Sequence, residues 1–91
     1  MDNTTTLAEA TMLFEHLLKN QLVQSKGITD RLMQDILVKI KKDCGDDSAK
    51  TEFHPFWSSY VLLVRVRNAI MAGDQNSAVG ISRQLIGGLK K

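Results

Sequence analysis

Few residues in this chain could carry chemistry. There is one cysteine, Cys44, and there are two histidines, His16 and His54. His54 sits in Phe53-His54-Pro55-Phe56-Trp57 at the expected entrance to a helix. There its ring would cap the helix or pack beside Phe53. His16 follows Glu15 on a helical stretch, off the apolar stripe. A general base needs a partner that orients it, and neither histidine has one at a recognisable spacing. Cys44 lies near a helix C-terminus, whose partial negative charge opposes a thiolate.

Metal and phosphate chemistry fare no better. Cys44, His54, Asp46 and Asp47 lie close in sequence, but a structural zinc site takes four cysteine or histidine ligands in paired spacings. The turn from Asp43 to Ser48 is acidic without the register of a calcium loop. Gly87-Gly88 closes a helix instead of opening one, so it does not cradle a phosphate. No catalytic, cofactor-binding or metal residue is expected, and the chain reads as a non-enzyme. Phe53, Phe56, Trp57 and Tyr60 form the aromatic cluster. It serves either as core packing or as a binding anchor, since tryptophan, tyrosine and arginine dominate interface energetics. Arg65 and Arg67 are two apart on a helix, so they point in different directions and form no single phosphate patch.

The elements that position these residues read as helices. The first spans about Leu7 to Gln24, with Thr6 and Glu9 spaced as a capping box and Leu7, Ala10, Phe14, Leu17, Leu18 and Leu22 on one face. Gly27 is its expected stop. The second spans about Asp30 to Lys42, with Thr29 as N-cap, a stripe of Leu32, Met33, Ile36, Leu37 and Ile40, and Gly45 as its end. Residues 46–52 read as a polar connection. The third starts near Pro55, which suits a first helical position, and ends at Gly73. The fourth starts after the N-cap Asp74 and runs from about Gln75 to Ile86, with Ala78, Ile81, Leu85 and Ile86 on one face.

The fold class is therefore all-α, a compact bundle of about four helices whose last two form an antiparallel hairpin. With 91 residues, 43% hydrophobic and 24% charged, it is one globular domain over 7–88. Residues 1–6 are an expected flexible N-terminus and 89–91 a C-terminal tail. The opening residues have neither the basic region nor the apolar run of a signal peptide. The longest apolar run is too short to span a bilayer. A single cysteine allows no intrachain disulfide, and the cytoplasm is the simplest location.

The third helix departs from this ordinary pattern. Phe56, Trp57, Tyr60, Val61, Leu62, Leu63, Val64, Val66, Ile70 and Met71 cannot share one face, and a helix that is apolar all round must be buried all round. A small four-helix domain cannot supply that cover. The expected function is a protein-interaction or regulatory module that associates with itself and with another protein. Its candidate partner-binding residues are Trp57, Tyr60, Leu62, Arg65, Val66 and Arg67, aided by the adaptable side chains of Met12, Met33 and Met71. A nucleic-acid regulator is the alternative, resting on Lys39, Lys41, Lys42, Lys90, Lys91 and the arginines Arg65, Arg67 and Arg83. Against it stands a formal net charge of only +2. A ligand pocket assembled at a subunit interface is a third reading.

Overall fold

The computed structural model describes residues 3–45 and 47–90, except for the side chains of residues 3, 4, 48 and 49. Asp46 and Lys91, invoked above, lie outside these, as do the first two residues of the expected N-terminal tail. Among the described residues five helices follow in order: α1 (Asn3–Leu18), α2 (Leu22–Cys44), α3 (Ser48–Glu52), α4 (Trp57–Met71) and α5 (Gln75–Leu89). No strand occurs among the described residues. The β-branched run from Val61 to Val66 is helical, its Leu63 and Val66 falling on the buried side at helical spacing.

α1 packs between α2 and α5, and α4 packs between the same two helices. α1 and α4 are thus diagonal partners in a four-cornered bundle, and α3 rests on α2. The bundle measures 37 × 25 × 18 Å. Its longest dimension is close to the length of α2, whose 23 residues rise about 34 Å at 1.5 Å each. The core is Leu13 and Leu17 of α1, Leu32, Ile36 and Ile40 of α2, Leu63, Val66 and Ile70 of α4, and Leu85 and Leu89 of α5, with Ala10, Ala69 and Ala78 where helices approach closely.

The first boundary falls elsewhere than the sequence predicts. α1 stops at Leu18, and Gly27 lies inside α2. Asn20 takes the left-handed conformation at φ 58°. The Asn20 N–H donates to the Leu17 carbonyl at 3.0 Å, and the Gln21 N–H to the His16 carbonyl at 2.9 Å. This is the Schellman pattern, which satisfies two carbonyls at a helix end, with asparagine in place of the usual glycine. α2 then runs through Gly27 because its buried stripe extends back to Thr29 and Ser25 at unbroken helical spacing. Both hydroxyls would be unsatisfied in the core, so each donates to the carbonyl one turn back: Ser25 to Gln21 and Thr29 to Ser25, both at 2.7 Å. Thr29 is therefore interior rather than an N-cap. Thr6 is likewise buried within α1 and does not open it.

The later boundaries agree better with the sequence. Gly45 and Gly73 both have positive φ, 62° and 72°, at the ends of α2 and α4. Gly73 repeats the Schellman pattern, its N–H donating to Ile70 and that of Asp74 to Ala69. Asp74 is the N-cap of α5. Two details differ. The stretch read as a polar connection contains the single turn of α3. α5 continues through Gly87 and Gly88 to Leu89, which is buried in the core rather than part of a loose tail.

Candidate functional site

α4 divides the expected partner-binding residues between two opposite sides. Ser59, Leu63, Val66 and Ile70 recur at intervals of four, three and four and face the core. Trp57, Val61, Val64, Asn68 and Met71 recur at four, three, four and three about half a turn away, and so face outward. Since α2 and α5 are the helices that pack most on α4, that outer side is the less covered one, although Trp57 at its start packs on the core. Val61 and Val64 are partly exposed, and Met71 is 64% exposed.

Trp57 and Tyr60 are half-buried, their rings stacked with centroids 5.5 Å apart, and both pack on the edge of the core. Leu62 is also half-buried against the core. Val66 has no exposed surface. Its place on a surface is corrected here: it lies one helical turn from Leu63 and Ile70, on the same inward stripe. Arg65 is exposed. Arg67 turns to α2, where its Nε lies 3.2 Å from Asp30 Oδ1. That nitrogen is buried, and the carboxylate is too poorly aligned to accept a hydrogen bond from it, so the contact is an ion pair alone. Asp30 also receives Lys26 Nζ at 3.1 Å. The two arginines therefore have separate roles, one held within the chain and one facing solvent.

Of the outward stripe, Met71 was expected to aid a partner surface, but Val61 and Val64 were not among the residues singled out as partner-binding. The stripe's signal was present in the heptad spacing from Trp57. What masked it was an equally apolar inward stripe of the same period. Elsewhere, Val23 and Phe53 are 85% and 86% exposed, one at the start of α2 and the other between α3 and α4.

The basic residues are distributed over several faces. Arg83 of α5 lies over the ring of Phe14 on α1, 5.7 Å from its centroid. Arg31 approaches Glu9 at 3.6 Å. Lys41 and Lys42 end α2 directly beside Asp43.

The polar cluster nearest to catalytic form is Asp43 with His54. His54 Nε2 lies 2.6 Å from Asp43 Oδ2, and the Phe56 N–H donates to His54 Nδ1 at 3.1 Å. Both ring nitrogens are thereby engaged. An imidazole that serves as a general base must keep one nitrogen for the substrate, so this ring is a structural clasp between α2 and α4. It caps the entrance to α4, and its ring neighbour is Phe56, at 5.8 Å between centroids, rather than Phe53. His16 donates from Nδ1 to the Met12 carbonyl at 2.8 Å. Among the described residues no group of three or more histidine, cysteine or acidic side chains could hold a metal ion, and no helix is long and apolar enough to cross a membrane. Set against protein-family models, curated proteins and solved structures, the chain matches none of them.

Proposed function

We propose that this chain is a small protein-interaction module that works through the outer side of α4, first of all by pairing with a second copy of itself. The observation that carries this is the outward stripe of Trp57, Val61, Val64 and Met71. The solvent side of a bundle helix is ordinarily polar; on α4 the exposed positions Ser58, Arg65 and Asn68 are polar, and the partly exposed Val61 and Val64 and the exposed Met71 lie among them. Covering the same patch on two chains by a two-fold axis is the commonest way to remove such a surface from water. Arg65 borders the stripe and is exposed, and arginine is enriched at the edges and anchors of interfaces. The nucleic-acid reading has less support, because Arg67 and Arg83 are engaged within the chain and the α2 lysines adjoin an aspartate.

The test is light scattering on the intact chain from low to high micromolar concentration. A concentration-dependent dimer that Val61→Glu and Val64→Glu convert to a folded monomer supports the reading. A clean monomer at high micromolar concentration ends self-association.

A further inference from the structure

We infer that His54 is a proton-sensitive latch on the first turn of α4. The argument needs only the donors and acceptors around the ring. A backbone N–H can only donate, so the Phe56 N–H at 3.1 Å requires a lone pair on His54 Nδ1. The ring proton of the neutral form therefore sits on Nε2 and is donated to Asp43 Oδ2 at 2.6 Å. The ring is enclosed, its side chain 7% exposed, whereas its carboxylate partner Asp43 is 61% exposed. Pro55, between His54 and Phe56, has no N–H of its own.

A second proton can enter only at Nδ1. It turns that nitrogen from acceptor to donor, and the Phe56 N–H then faces another N–H. At Nε2 the hydrogen bond becomes an ion pair with Asp43 and holds. Protonation thus releases α4 while keeping the ring fastened to α2. The segment released is the one that leads into Trp57, whose N–H donates to the His54 carbonyl at 2.9 Å and whose ring stacks on Tyr60.

Asp43 is the charged group in contact with the ring. Lys41, Lys42 and Cys44 of α2, Asp47 beside α3, and Lys50 and Glu52 of α3 are titratable or charged groups on the flanking segments. Tyr60 is the one titratable side chain in the first two turns of α4. His16 is an internal control, because its Nδ1 already donates to Met12 and gaining a proton at Nε2 breaks nothing there.

Ring ¹⁵N shifts, backbone amide exchange and the fluorescence of Trp57, the only tryptophan, would be followed together on the intact chain from about pH 8 to pH 4, the span in which histidines ordinarily titrate. The expected result is an Nε2–H neutral tautomer for His54. Protection of the Phe56 amide should fall about five- to tenfold as the cation forms, the equilibrium equivalent of one hydrogen bond, with a parallel change in Trp57 emission. His54→Asn keeps an acceptor near Nδ1 but does not titrate, so both signals should lose their pH dependence. An Nδ1–H neutral tautomer overturns the inference. So does a ring that stays neutral throughout the scan, or a Phe56 amide indifferent to the ring's charge.

Discussion

The two sides of α4 are built from nearly the same side chains and meet opposite environments. Leu63 and Val66 have no exposed surface, whereas Val61 and Val64, two residues away from each, lie partly in solvent. Hydrophobicity alone therefore did not decide which side went inward. The inward stripe is the one that carries Ser59 and Ala69, small residues that let α2 and α5 come close. The outward stripe begins with Trp57, whose bulk fits only at the rim of the core. What distinguishes the two sides is shape, and an apolar surface left over by that choice is available for a partner.

Substitutions on and around α4 test this division, beginning with the largest effect. Val66→Glu places a charge without a partner in a fully enclosed site. The penalty, upward of about 4 kcal/mol, is comparable with the whole stability of a domain this size, roughly 5–14 kcal/mol. Circular dichroism should show loss of cooperative unfolding, whereas a folded, merely dissociated protein would return Val66 to the surface. Leu63→Ala, on the same side, should lower unfolding free energy by about 2–5 kcal/mol in urea.

The turn that ends α4 gives the next effect. Gly73 has φ 72°, so Gly73→Ala should destabilise by about 1–2 kcal/mol. Gly27 is exposed within α2, where a Cβ would touch nothing within 4 Å, so Gly27→Ala should stabilise by up to about 1 kcal/mol. Changes of the same sign at both glycines would contradict the placement of the first helix boundary.

Asp74, just beyond that turn, offers a pH test. Its carboxylate accepts from the Ser77 hydroxyl at 2.7 Å and from the Ser77 N–H at 3.1 Å. These bonds, the hydroxyl first, hold it below the usual carboxylate range. With the folded value depressed, its contribution is complete above the unfolded value near 4 and fades as pH falls through the folded value. Asp74→Ala should lower Tm at neutral pH, and the gap between the two proteins should close in acid. A gap that stays constant would mean that the charge plays no part in the cap. The smallest effect on stability belongs to the outer side, where Val61→Glu and Val64→Glu should each shift unfolding free energy by no more than about 0.5 kcal/mol. A large loss at either would show that α4 has no free side.

From residue types and spacing alone, the chain determined that it is all-helical, that its last two helices form a hairpin through Gly73 and Asp74, and that Leu32, Ile36 and Ile40 line a core. Those features are local: a left-handed glycine, a carboxylate that can cap, and a stripe at helical period act within a few residues of themselves. The surplus of apolar side chains on α4 was legible too, since composition and period suffice to show that one face cannot hold them. Only the tertiary structure decided where the first helix ends and which side of α4 is outside. Asn20 adopts a conformation that glycine reaches more easily, while Gly27 stays helical because packing on Ser25 and Thr29 outweighs its low propensity. The two stripes of α4 have the same period, so no local rule separates them. The choice between them was made by the surfaces that α2 and α5 present, and these exist only once the bundle has closed.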